Sequence, residues 1–224
     1  MGAITRAAAN NFTTGGVILP AAINDASVAS ITDLENITVG GGLNVVQSQT
    51  ASSSASISFT TGINSTYPVY KFEFINIHPQ SEASNFEFQF STNGGSSYAT
   101  ANLTTNFFRA VHGEDDSSGT VTYETDKDLA SSSSYQRIGH AMAADNANRS
   151  FSGTMYLFSP SNTTYVTHFL ARGLANYSYP PGYAWDSWVG GWFKASAAVN
   201  AVQFRQSSGN IDDGIITLYG ISGS

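Results

Sequence analysis

The stretch Asn200–Ile221, NAVQFRQSSGNIDDGIITLYGI, decides the fold class. Val202 and Phe204 fall on one face of an extended segment, which is the two-residue period of a half-buried strand. A second alternating run, Ile215–Ile221, follows the polar segment Ser207–Gly214, which is dense in turn-forming residues. We therefore predict a β-hairpin with a polar tip, and we expect both of its strands to pair with strands from earlier in the chain.

Two aromatic ladders lie further upstream. Tyr70, Phe72 and Phe74 alternate with charged residues, and the segment 86–90 alternates Phe with Glu and Gln in the same way. We predict that these two strands are cross-strand partners in the middle of the core. The alternation changes parity at Ile75, which predicts a bulge or a switch to burial on both faces.

Other short runs with strand character complete the pattern. They lie at 43–48, 56–60, 121–124, 135–139, 153–158, 164–172 and 187–193. Turn residues separate most of them, and no run has helical periodicity. The fold class predicted is all-β, a two-sheet antiparallel sandwich of jelly-roll type, with a closed barrel as the second interpretation.

Composition limits the partners of the chain. Of its 224 residues only 11% are charged and the net charge is −7, so we expect neither nucleic-acid binding nor a membrane partner. The absence of cysteine excludes disulfides, thiolate metal sites and a cysteine nucleophile. The N-terminus carries no secretory signal and no segment is long enough to span a bilayer, so we expect a soluble, unprocessed protein.

Residues 1–43 differ from the remainder. They contain little aromatic surface, yet small apolar residues recur between Asn, Asp and Ser. We expect an extended N-terminal arm for attachment or oligomerisation, followed by a β-sandwich domain at 44–224. The apolar positions assigned to the arm are Val17, Ile18, Leu19, Ile23, Val28, Ile31 and Leu34. Whether the arm crosses sister chains or packs on its own domain stays open.

No catalytic motif is present. The four histidines lack metal-ligand spacing, and there is neither a nucleophile elbow nor a glycine-rich phosphate loop. Acidic groups at 114–116 and at 212–213 do not match the spacing of a calcium loop. We therefore predict that the protein is not an enzyme and uses no cofactor or metal.

An aromatic segment at 176–188, NYSYPPGYAWDSW, is the most suggestive surface feature. Proline stiffens the backbone there, and the rings offer apolar faces with polar edges that suit sugar stacking. The candidate glycan-binding residues are Tyr177, Tyr179, Tyr183, Trp185 and Trp188. The alternative is that these rings pack against the sandwich or a neighbouring subunit.

Three stretches together suggest a family. MGAITRAAANNFTTGGVILPAAINDASVASITDL (1–34), VYKFEFINIHP (69–79) and SSGNIDDGIITLYGI (207–221) resemble a group of short virion proteins of tailed phages that infect cyanobacteria and other marine bacteria. The resemblance implies a virion component made in the host cytoplasm, on the tail or on the capsid surface.

From the resemblance and the arm we expect a short tail fibre. It would form a homotrimer, attach to other virion proteins through its N-terminal arm and contact a host-surface glycan with its sandwich. The alternatives are a capsid decoration protein that clamps capsomers, and a carbohydrate-binding or carbohydrate-active protein.

Overall fold

A computed structural model describes residues 42–116, 119–144, 149–177, 182–195 and 197–222. These residues form twelve strands and no helix, and every strand pair is antiparallel. The strands are β1 (Leu43–Ser54), β2 (Ile57–Phe59), β3 (Val69–Pro79), β4 (Ser84–Ser91), β5 (Asn102–Gly113), β6 (Gly119–Tyr123), β7 (Gln136–Met142), β8 (Phe151–Phe158), β9 (Thr167–Tyr177), β10 (Tyr183–Lys194), β11 (Ala201–Gln206) and β12 (Ile211–Ile221). The all-β prediction is confirmed for this part of the chain. The predicted arm lies outside the described residues, apart from its last two positions.

The strands form a single sheet that nearly closes on itself. Its order is β1-β12-β3-β8-β9-β7-β4-β11-β2, while β10 pairs with β9 and β5, and β6 pairs with β5. The link between β9 and β7 is one residue pair, Tyr177 with Met142. At the ends of the order, Gln49 Nε2 in β1 donates to the carbonyl of Ser58 in β2 at 2.9 Å. The ends therefore approach each other around a common core.

The predicted C-terminal hairpin is wrong. β11 pairs with β2 and β4, whereas β12 pairs with β1 and β3. The linker does not form a tight turn because it is hydrogen-bonded to β4 and to the residue after β3: the Ser207 N–H donates to the carbonyl of Asn85, and the Gln80 N–H donates to the carbonyl of Asn210. Each terminal strand thereby gains a partner on both sides. The prediction that both pair with earlier strands is confirmed.

The two aromatic ladders are not neighbouring strands either. β3 pairs with β12 and β8, and β4 pairs with β7 and β11. The rings nevertheless meet, because both strands direct them into the same core: Phe74 and Phe86 have ring centroids 5.3 Å apart, and Phe204 of β11 lies 5.1 Å from Phe72. Aromatic alternation thus identified core strands correctly but not their order.

The predicted bulge in β3 is confirmed. The register with β8 shifts between Phe74 and Ile77, and Asn76 has a φ of 51°. Ile75 is 42% exposed, whereas Ile77 is fully buried. The bulge therefore reverses which parity of the strand faces the core.

Strands β9, β10 and β5 form the part of the sheet that carries the candidate site. β10 pairs with β9 on one side and with β5 on the other, each over almost its whole length. Its odd-numbered residues Trp185, Val189 and Phe193 are buried, and its even-numbered residues Trp188 and Trp192 are exposed. The three strands thus present an inner face toward the protein and an outer face away from it.

Candidate functional site

The outer face of β5, β9 and β10 is unusually apolar. The cross-strand register aligns Phe108 with Trp188 and Trp188 with Arg172. Large side chains on this face are between 37% and 56% exposed; they are Phe108, Leu170, Leu174, Trp188 and Trp192. We call these residues, with Arg172 and Asp186, the outer apolar face.

Ring stacking orders the centre of the outer apolar face. The Phe108 and Trp188 rings are stacked, with centroids 5.6 Å apart and planes 15° apart. The guanidinium carbon of Arg172 lies 4.0 Å from the centre of the Trp188 ring. Nη2 of Arg172 lies 2.8 Å from a carboxylate oxygen of Asp186. Two shallow grooves, of about 470 and 510 Å³, flank Leu170. The surface is therefore preformed, and its one ion pair is already satisfied.

The edge next to the outer apolar face is also open. All residues of β6 are exposed, including Val121 at 77%, and β6 pairs only with β5 among the described strands. An exposed edge strand with apolar side chains can pair with another chain. The apolar surface thus continues to the last strand on this side of the sheet.

A second feature, on the inner side of β5 and β10, is a half-open pocket of about 410 Å³. We call it the His140 pocket; its lining residues are Arg109, Val111, Thr120, Lys127, His140, Tyr177, Tyr183 and Trp185. Trp185 forms its base and is only 3% exposed. The Arg109 guanidinium carbon lies 4.0 Å from the centre of that indole ring, and the His140 and Tyr177 rings lie 4.7 and 5.1 Å away. Trp185 therefore holds the pocket together rather than offering an open face.

The cations of the His140 pocket are neutralised locally. Lys127 Nζ donates to Glu124 at 2.7 Å and to Asp126 at 3.0 Å, while Arg109 Nε donates to the other oxygen of Glu124. Burial alone would raise the pKa of Glu124, but the hydrogen bonds from Lys127 and Arg109 hold it below its usual value. The cluster consequently has no excess positive charge.

His140 is fixed in one tautomer. Its Nδ1 lies 2.9 Å from Oδ1 of Asn85, an oxygen that also accepts the Ala141 N–H at 3.0 Å. Because this oxygen can only accept, Nδ1 carries the proton and Nε2 carries the lone pair. Burial, together with the positive charges of Lys127 and Arg137, lowers the pKa of His140 to about 4. The ring is therefore neutral at pH 7, with Nε2 as a hydrogen-bond acceptor.

The structure divides the aromatic residues singled out from the sequence. Tyr177 ends β9 and Tyr183 begins β10, and both join Trp185 at the His140 pocket. Trp188 instead lies on the outer apolar face, because it has the opposite parity in β10. Tyr179 lies outside the described residues, as do all the apolar residues assigned to the arm.

Sequence reasoning did not find His140, Arg109 or Lys127 as members of the pocket. These residues come from β7, from β5 and from the segment after β6. No local spacing connects them, so only the pairing of distant strands brings them together. Their one sequence signal was weak: Arg109 interrupts the apolar run at 107–111, which was not recognised as a strand.

The described residues contain no group of three or more His, Asp and Glu side chains arranged to hold a metal ion. Asp116, in the acidic loop after β5, pairs with exposed His112 near the end of β5, with Nε2 at 3.2 Å from the carboxylate, and Asp213 accepts the N–H of its neighbour Gly214. Within the same ranges there is no helix of the length and apolarity needed to cross a membrane.

Comparison of the chain with protein-family models, with curated proteins and with solved structures gave no match. The outer apolar face and the His140 pocket therefore carry the functional proposals.

Proposed function

We propose that this chain is a non-enzymatic structural protein of a phage virion, a short tail fibre that attaches through residues 1–43 and contacts the host with its β domain. The observation that carries the proposal is the outer apolar face. Monomeric soluble proteins rarely expose a contiguous apolar patch of this kind. Two Trp, one Phe and two Leu side chains, all at least 37% exposed, are continuous across β5, β10 and β9. Such a surface suits a subunit of an assembly, and the sequence resemblance to virion proteins supports the phage assignment.

The strand order supports a jelly-roll arrangement of two sheets for this domain. When the four strands β5, β6, β9 and β10 are set aside, eight strands remain, in two runs: β1-β12-β3-β8 and β7-β4-β11-β2. Numbered one to eight along the chain, these strands pair as 1-8-3-6 and 5-4-7-2, which is the order of a jelly roll. The single residue pair between β9 and β7 suits a corner between two sheets better than a continuous ladder.

We assign sister copies of this chain, in a homotrimer, as the occupants of the outer apolar face. Its charges favour a self-interface, because Arg172 and Asp186 are paired with each other and a second copy would bury no unpaired charge. The face extends over three strands, β5, β10 and β9, and a stable interface needs about 800 Å² from each partner. Three copies would each cover the apolar side chains of a neighbour.

The full-length protein tests the assembly proposal by size-exclusion chromatography with light scattering. The expected mass is that of three chains, and the double variant Trp188→Ser/Leu170→Ser should dissociate while keeping its β-sheet circular dichroism. Tyr165→Ser is the matched control, because Tyr165 is an exposed aromatic residue in the loop between β8 and β9. A wild-type protein that stays monomeric at about 100 μM, far above the dissociation constants of stable assemblies, contradicts the proposal.

Mass spectrometry and electron cryo-microscopy of purified particles of the encoding phage test the virion assignment. Density on the tail supports the fibre. Density confined to the head lattice favours the alternative, a capsid decoration protein, and absence from the particle overturns both. Cleavage of host polysaccharide by the purified chain would instead identify a carbohydrate-active enzyme.

A further inference from the structure

We propose that the His140 pocket binds one residue of a neutral, hydroxyl-rich saccharide. This inference rests on the proposed contact with the host surface. The pocket has a volume of about 410 Å³ and is partly open to solvent. It lies on the inner side of β5 and β10, away from the outer apolar face. A subunit buried through its outer face would therefore keep this pocket accessible.

Unused hydrogen-bonding groups line the pocket. In the described part of the chain, the Nη atoms of Arg109, Nε2 of His140 and the hydroxyls of Tyr177 and Tyr183 form no hydrogen bond with the protein. The guanidinium only donates, Nε2 only accepts, and the two hydroxyls can do both. Adjacent sugar hydroxyls, each of which donates and accepts, match such a mixed set.

Ring surfaces in the same pocket suit the apolar side of a pyranose. Tyr177 and Tyr183 are half-buried, and their ring centroids lie 6.1 Å apart with planes inclined by 63°. Trp185 cannot serve as a platform, because Arg109, His140 and Tyr177 surround it. Tyr183 therefore provides the stacking surface, while Tyr177 stacks on His140 with ring centroids 5.9 Å apart and packs against Trp185.

Local charge favours a neutral sugar over an anionic one. Glu124 and Asp126 hold Lys127, and Glu124 also holds Arg109, so the two cations are matched by two carboxylates. The chain as a whole has a net charge of −7, which repels an approaching anion. A uronic acid or a phosphate group would gain little from this pocket.

Saturation-transfer NMR on the full-length protein tests the inference with the methyl glycosides of glucose, galactose, mannose and N-acetylglucosamine. Signal is expected from at least one of the four at millimolar concentration, and none from glucuronate. Tyr183→Phe removes one hydroxyl and His140→Asn removes the Nε2 acceptor, so each should weaken binding about fivefold, the effect of losing one hydrogen bond. Tyr165→Phe, which removes an exposed hydroxyl in the loop between β8 and β9, is the matched control and should bind as wild type does.

Several results overturn the inference: no signal from any of the four glycosides, a response to glucuronate alone, or unchanged affinity in both pocket variants. If His140→Asn does not fold, Tyr183→Phe decides, because it removes only the hydroxyl of a half-buried residue. The oligomeric state is measured on the same samples. A trimer without sugar binding rejects this inference alone, whereas a monomer that binds sugar rejects only the assembly.

Discussion

Acidification should destabilise the protein through His140. The pKa of this side chain falls from 6.5 to about 4 on folding, because burial and the charges of Lys127 and Arg137 disfavour the imidazolium form. Between these two pKa values the unfolded chain binds more protons at His140 than the folded chain does. The stability contributed by neutral His140 is therefore fully present above about pH 7 and is lost as the pH falls toward 4. At pH 5 the loss attributable to this one group is about 2 kcal/mol.

Urea denaturation at pH 8 and at pH 5, followed by circular dichroism at one protein concentration, measures this loss. His140→Asn keeps a donor for Asn85 Oδ1 but does not titrate, so its free energy of unfolding should fall about 2 kcal/mol less than that of wild type over the same range. His112→Asn is the matched control, because the His112 side chain is 63% exposed, and it should follow wild type. Equal losses in wild type and His140→Asn would refute the reasoning.

Three further changes test the core and the ion cluster by urea denaturation. Phe204→Ala should lower the free energy of unfolding by about 3–5 kcal/mol, because its ring contacts several core phenylalanines; a loss below about 1 kcal/mol would show that the core refills the space. Gly153→Ala places a Cβ 2.4 Å from a backbone oxygen and should lower the free energy of unfolding by about 1–3 kcal/mol. Gly42→Ala, whose Cβ would have no atom within 4 Å, should leave it unchanged, and equal losses in the two variants would contradict the steric argument. Glu124→Gln should lower the free energy of unfolding by about 3 kcal/mol, because buried Lys127 then keeps only the exposed carboxylate of Asp126. Adding Lys127→Met should restore part of this loss, and strictly additive effects in the double variant would exclude an energetic coupling between Glu124 and Lys127.

The sequence predicted strand content well because alternation reports burial directly. Phe204 and its neighbours in β11 alternate as expected, and the bulge after Phe74 was visible as a change of parity. Strand order was not predictable in the same way, since every buried phenylalanine matches every other equally well. The contact of Phe74 with Phe86 across the core illustrates this, because the ladder pattern alone equally supports direct pairing.

The candidate site was only partly predictable. Tyr177, Tyr183 and Trp185 were found from their composition, although as one surface segment rather than as the facing ends of two strands. β5 was missed, because Thr and Asn occupy several of its positions and reduce its apolar contrast. Without β5 there was no means of placing Arg109 over Trp185, and His140 on β7 had no recognisable partner.

The position of β12 between β1 and β3 has a consequence for synthesis. Ser48 and Thr217, whose hydroxyls are 3.0 Å apart, are separated by 169 residues along the chain. A ribosome releases the strands in order, so β1 and β3 emerge long before the strand that joins them and remain open edges in the meantime. Closure of this sheet is thus a late event that depends on distant contacts, which is the slow regime of folding. A chaperone that shields open edges would increase the yield of this protein more than one that accelerates local structure.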